Sequence, residues 1–332
     1  MDTARWNGRT CSSTAERLYV TLSLSLPPLH PPSSPFHLNT NPTQPSTTNP
    51  PLPTQFYPSA LLHFPTSSPP IRRIDALLLT HPHADAFFGL DDLRSWTLPG
   101  PSQIQPHIPV YCDAGTLQQV KATFPYLVDR NMATGGGDVA AFSWHVFDSE
   151  GEVGDEGFRI PECGGIKVVP LPVEHGRFMS TGAPFMSLGF RVCGFSYVSD
   201  CSGVPEETAR RMRGSRVVVM DGLKPDPHAS HFSVDQGRMW VRDVLGSGTK
   251  TGMANGDGDV DGQQEGEEEE WQEEPYTGPQ STYLTGFSHA IEHVAATKEF
   301  TEWGLRDGGG MYVRPAYDGL RIGKDGRPVH GT

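Results

Sequence analysis

The chain is short of what most folds of its length rely on. Only 36% of its 332 residues are hydrophobic, which is low for a compact domain of this size. No apolar run approaches the roughly 20 residues that a membrane-spanning helix needs. The nearest candidate, Leu18 to Leu26, follows Arg5, Arg9 and Arg17 but is interrupted by Ser and Thr. No small-residue cleavage site follows it, so a secretory leader is not expected. The five cysteines, Cys11, Cys112, Cys163, Cys193 and Cys201, contain no CxxC pair. Their odd number and irregular spacing lead us to expect reduced thiols in a cytoplasmic or nuclear protein. No basic cluster marks a nucleic-acid partner, and neither a membrane partner nor an internal repeat is expected. Nothing in the sequence sets an oligomeric state.

Two biased segments explain much of the hydrophobic deficit. Residues 27–70 hold fourteen of the 31 prolines, mixed with Ser, Thr and Asn, which reads as polyproline-like or disordered chain. Residues 251–280 hold ten acidic residues, including Glu267 to Glu270, and no Lys or Arg. Such a segment cannot bury a core and reads as a solvated loop. Without those ten charges the net charge of −13 falls to −3, so the acidity is local and says little about substrate.

What is present is a run from residue 77 to 94, LLLTHPHADAFFGLDDLR. Apolar residues lead into Thr80, and His81, His83 and Asp85 follow, each two apart. Ile74–Thr80 reads as a buried strand whose C-terminal loop presents metal ligands. Gly89 reads as a sharp turn, and Leu90 to Trp96 as a helix behind it. A lone HxH would be an ordinary surface loop. Imidazoles followed by a carboxylate suit zinc, manganese or iron rather than calcium.

Four more β-rich runs end in metal-competent residues. Val168–Val173 leads to Glu174 and His175. Phe195–Ser199 leads to Asp200. Val217–Met220 leads to Asp221, with His228 and His231 beyond it. Tyr283–Thr285 leads to His289 and His293. Loops at one sheet edge can bring such residues to one place. A short helix over Tyr57–Phe64, helices over Thr116–Phe124, Glu206–Met212, Val234–Leu245 and Ile291–Trp303, and a hairpin through Cys193-Gly194 complete the pattern. Strands with helices between them suggest a layered α/β sandwich.

The strings LLLTHPHADAFFGLDDLR, PLPVEHGRF, SYVSDCSGVPEE, MDGLKPDPHASHFS, YLTGFSHAIEH and VRPAYDGLRI resemble the metallo-beta-lactamase superfamily. Within it they look most like the branch of the phosphoribosyl cyclic phosphate phosphodiesterases and their fungal and plant relatives. The resemblance implies a four-layer αβ/βα sandwich over 56–322. An acidic insertion at 247–280 is expected to be disordered, with a tail over 323–332. It implies a metal-dependent hydrolase acting on a small phosphoester. Carried over, His81, His83 and His175 would hold the first metal, Asp200 would bridge two metals, and Asp85 would bind the second. Asp85 and Asp200 would thus frame the reacting centre, with His231 as the acid that protonates the leaving alkoxide. Asp221 would support a neighbouring histidine. The ion would be Zn2+, with Mn2+ as the alternative.

The chain departs from the pattern in three places. Ala86 stands where a histidine usually follows the aspartate, and Gly286 stands in the histidine position of an LTH string. Both losses weaken the second metal site, so one tight ion is expected, unless His228, His289 or His293 substitutes. The glycine-rich strand and turn that open the branch are missing. Residues 1–55 are therefore expected to be a disordered or misassigned segment, with N-terminal strands lost from one sheet. A thioesterase or lactonase on the same metals, and a non-catalytic metal-binding protein, are the alternative readings.

Overall fold

A computed structural model describes residues 5–6, 19–20, 73–101, 103–149, 151–246, 278–318, 320–323 and 325–328. The proline-rich stretch, the helix expected over Tyr57–Phe64 and almost all of the acidic run lie outside them.

The described strands are β1 Arg5–Trp6, β2 Tyr19–Val20, β3 Leu77–Leu78, β4 Ile108–Cys112, β5 Phe142–Val146, β6 Phe158–Ile160 and β7 Ile166–Arg177. They continue with β8 Pro184–Val192, β9 Phe195–Tyr197, β10 Val217–Asp221, β11 Ser281–Thr285, β12 Tyr312–Pro315 and β13 Arg321–Ile322. One sheet has the order β2-β3-β4-β5, all parallel. A second has the order β12-β11-β10-β9-β8-β7-β6, parallel from β9 to β12 and antiparallel from β6 to β9, and β1 and β13 form a separate parallel pair.

Period-2 alternation assigns the apolar residues to three separate layers of packing. Leu78 faces the space between the sheets, with Tyr111, Val168, Phe190, Val217 and Val219. Its neighbours Leu77 and Leu79 face outward, onto Phe87, Leu90, Leu93 and Val120. On the far side, Val218, Met220 and Leu284 pack against Met212, Val241, Phe300 and Trp303. Helices thus cover both outer faces, giving the expected four-layer αβ/βα sandwich. Strand β10 is buried on both faces, which is why it reads as an unbroken apolar run.

Several elements differ from the sequence reading. Only Leu77–Leu78 of the expected Ile74–Thr80 strand makes ladder pairs. The helix begins earlier than expected, at Ala84, and passes through a 3-10 stretch, Phe88–Leu93, into Arg94–Thr97. Gly89 sits inside that 3-10 stretch with φ below zero, so it makes no sharp turn. Val234–Leu245 divides into an α-helix to Trp240 and a π-turn from Val241. The α-helix starts at a capping box, in which Ser233 and Gln236 each bond the other's backbone N–H. The Cys193-Gly194 hairpin forms as expected, with Cys193 at φ 55°. Cys112, Cys163 and Cys201 are free and buried. The edge of the four-stranded sheet, where N-terminal strands were expected to be lost, carries β2 over two residues. No helix among the described residues is long and apolar enough to cross a membrane.

Candidate metal centre

Strands β7, β9, β10 and β11 run the same way in the seven-stranded sheet, so their C-terminal ends share one edge. The loop after β3 meets that edge from the other sheet: Leu188 N–H bonds to the Thr80 carbonyl at 2.9 Å. The sequence therefore delivers His81 and His83, His175, Asp200, Asp221 and His231 to one place from positions as far apart as 81 and 231.

His81, His83 and His175 form the first group. Each offers a ring nitrogen, and these lie within 4.8 Å of one another. His175 Nδ1–H donates to the Ser230 carbonyl at 2.6 Å, which leaves Nε2 as the lone-pair nitrogen in the neutral ring. That Nε2 lies 3.2 Å from His83 Nδ1. The contact with Ser230 depends on Gly176, at φ +81°, where a Cβ would come within 2.9 Å of the Ser230 Cβ. His81 is buried, with Nδ1 against Thr80 Oγ1 at 2.9 Å and Ser187 Oγ at 3.3 Å. His81 Nε2 is buried with no hydrogen-bond partner.

Burial holds these rings neutral. It pushes His175 down to about 4, helped by the nearby His231, and lowers His81 well below its usual value, helped by His175. His83 is also lowered by desolvation, against the pull of Asp85. Neutral imidazoles are what a metal requires, and an unpartnered buried nitrogen is what a missing ion would explain. The donor set fits a divalent ion, with Thr80 and Ser187 against Nδ1 of the His81 ring.

His175, Asp200 and His231 form a second group, also within 4.8 Å. Asp200 is buried and accepts from Ser199 Oγ at 2.5 Å. Burial, followed by the charge of Asp221, pushes its carboxyl up to about 8. His231 Nδ1–H donates to Asp221 Oδ2 at 2.9 Å and lies 4.0 Å from Asp200 Oδ1. Burial opposes charge on the His231 ring, yet its bond to Asp221 and the charges of Asp221, Asp200 and Asp85 prevail and raise its pKa. Asp221 also accepts from the Cys201 N–H at 3.0 Å, while its Oδ1 is buried without a partner.

The other candidates fall into place around these two groups. Asp85, in the first turn of the helix Ala84–Phe87, acts electrostatically on His83, His175, Asp200 and His231 but joins neither close group. His228 is exposed, its ring centre 5.4 Å from that of His231. His289 and His293 are exposed and lie in neither group; His293 packs edge-on to Tyr317. Ala86 is buried in its helical turn. Gly286 has φ +76°, and a Cβ there would stand 3.1 Å from Asp221 Oδ1. None of the three expected substitutes joins the close groups; His231 is the histidine that stands near Asp200, at 4.0 Å.

Sequence reasoning missed Phe185, whose ring lies flat against His83 at 4.4 Å between centres, and the hydroxyls of Ser187 and Ser199. Period-2 reading of a longer β8 would have put Phe185 and Ser187 on one face.

The profile of the beta-lactamase superfamily domain matches residues 50–249, more than half of the chain. With the αβ/βα sandwich and the histidine-aspartate edge, the chain belongs to the metallo-beta-lactamase superfamily. It is similar to a diphosphatase of the PhnP family, at 22% identity and a TM-score of 0.49, over 79% of this chain and 73% of that one. It is also similar to the metallo-beta-lactamase fold protein YhfI from Bacillus subtilis, at 12% identity and a TM-score of 0.45, over 74% of this chain and 76% of that one. An octanoyltransferase of Porphyromonas gingivalis is 25% identical over 169 residues, 50% of this chain. The chain spans only 29% of that relative's length.

Proposed function

We propose that the domain over 56–322 is a metal-dependent hydrolase of phosphodiesters, of the kind that open small cyclic phosphates. The observation that carries this reading is the His231–Asp221 pair standing beside three neutral imidazoles. His81, His83 and His175, with Asp200 beside them, would hold a divalent ion, which when bound would make its water acidic enough to ionise near neutrality, at about pH 7 for zinc. His231 keeps its proton because Asp221 accepts from Nδ1. With Nδ1 committed, Nε2–H is the proton available to a leaving alkoxide. An alkoxide is a poor leaving group, so this transfer contributes roughly a hundredfold or more. The charges of Asp200 and Asp85 add to that of Asp221 in favouring the protonated His231 ring.

The test separates the acid from its alternatives. His231→Ala should slow a diester with an alkyl leaving group by a hundredfold or more. It should spare bis-para-nitrophenyl phosphate, whose phenolate leaves unaided. Equal loss on both substrates, together with loss of bound metal, would make His231 a ligand instead. Full activity on thioesters or lactones in the same variant would favour carbonyl chemistry. A metal-loaded protein inert on every substrate would favour a binding role.

A further inference from the structure

A second cluster of charge lies on the same sheet, far from the histidines. The helix Glu206–Met212 covers the outer face of β7 near Pro170 and Pro172, through Arg211 and Thr208. Beyond that cover a cavity of about 490 Å³ lies over Lys167 and Val169 of β7 and Arg191 of β8. Val169 and Arg191 are ladder partners, so they project side by side from one face. Arg210, Arg211 and Asp155 close the cavity from the helix side.

Among the described residues, cations outnumber carboxylates here. Asp155 bonds both Arg210, at 2.5 Å, and Arg211, at 2.6 Å, and Glu207 pairs with Arg211. Lys167 and Arg191 stand beside these pairs in the same cavity. Among the described residues neither Lys167 nor Arg191 has a carboxylate within ion-pair distance. Lys167 is exposed and well hydrated, but Arg191 is partly buried, and desolvation lowers its pKa. A desolvated guanidinium without a counter-charge is costly, and an anion relieves it. The Arg191 fork is also held in place. Its Nε–H donates to the Cys193 carbonyl at 3.2 Å and its Nη1 donates to the Arg211 carbonyl. Two carbonyls therefore fix the plane of the guanidinium. A fixed planar fork beside a mobile ammonium suits a tetrahedral oxyanion.

We propose that this cavity is a binding site for a phosphorylated small molecule, anchored by its phosphate on Arg191 and Lys167 and separate from the metal centre. The separation follows from strand geometry. His175 lies on the same strand as Val169, six residues on, or about 20 Å at a rise of about 3.3 Å per residue. A single small phosphoester cannot occupy both places. The volume exceeds what inorganic phosphate fills and falls within the range of small-molecule pockets, so the phosphate would carry an organic group.

The experiment uses the full chain stripped of metal with a chelator, so that phosphate cannot bind at the histidines. Inorganic phosphate and pyrophosphate are titrated at constant ionic strength and followed by calorimetry and thermal unfolding. Saturable binding with one site and a raised Tm is expected. Lys167→Gln, an exposed change that leaves the core intact, should weaken it about tenfold, and Arg191→Gln more. His81→Ala should leave it unchanged. Stabilisation that never saturates, or that is equal in Lys167→Gln, would overturn the proposal as a general salt effect. Loss in His81→Ala but not in Lys167→Gln would overturn it by placing the anion at the histidines.

Discussion

Gly286 offers a sharp quantitative test. It stands where the superfamily motif has a histidine, and restoring that residue would seem to complete a second metal site. The backbone argues otherwise. At φ +76° any other residue pays roughly 1–2 kcal/mol in backbone strain. The new Cβ would also stand 3.1 Å from Asp221 Oδ1, tighter than ordinary contact, so the carboxylate must shift by a few tenths of an ångström. That carboxylate cannot shift freely, because its other oxygen holds both His231 and the Cys201 N–H. Together these effects cost about 1–3 kcal/mol. At roughly 2–4 °C per kcal/mol for a domain of this size, Gly286→Ala should lower Tm by about 2–12 °C. Scanning calorimetry in chelator measures this directly. A displaced Asp221 should also lower the His231 pKa, which imidazole NMR reads. Gly286→His should be at least as unstable and should gain no second equivalent of zinc by elemental analysis. An unchanged Tm in Gly286→Ala, or a stable Gly286→His that holds a second ion, would refute the reasoning.

Other expectations follow from the same geometry. His81→Ala should abolish tight metal binding while His289→Ala leaves it nearly unchanged, since only the first ring belongs to the buried cluster; zinc titration decides, and two equally tight ions in the parent would contradict it. Thr80→Val removes the nearer hydroxyl on His81 Nδ1 and should weaken zinc roughly 10- to 100-fold, with Ser187→Ala milder because its contact is longer. Metal binding should release protons. With Asp200 pushed up to about 8 in the metal-free protein, roughly nine-tenths of that carboxyl is protonated at pH 7 and must ionise beside the cation. Affinity should therefore rise with pH up to about 8. His175, already neutral above about 4, adds nothing in that window. Calorimetry in buffers of different ionisation enthalpy counts the protons, and a count near zero at pH 7 would exclude a protonated Asp200.

Much of the sandwich was legible in the sequence, because buried strands leave a local trace. Val217–Met220 reads as a strand because both of its faces are covered, and Ile108–Cys112 does so for the same reason. Strand β7 was cut short at Val173 because Glu174, His175 and Gly176 are poor strand residues, yet pairing with β8 carries the ladder past them. The loop ligands were visible from their spacing. What spacing could not show is distance in space. His231, His289 and His293 look alike in sequence, and only the packing of the Ser230 loop against Gly176 brings the first of them to Asp200. Phe185 was missed because its strand begins with Pro184 and Met186, which carry no alternation signal.

The register break between Glu174 and Arg177 has a consequence for how this chain can change over evolutionary time. A one-residue insertion before Glu174 would turn His175 to the opposite face and empty the cluster. Beyond the break the hairpin is held by the single ladder pair Arg177–Pro184 and by turns within residues 178–183. That tip carries the exposed Phe178 and the fully exposed Met179, one aromatic contact away from Phe185 and hence from His83. Length and composition can therefore drift at the tip while the histidines stay fixed. The bulge acts as a joint between a fixed cluster and an adjustable rim, and homologues should differ in length after Arg177 far more readily than before Glu174.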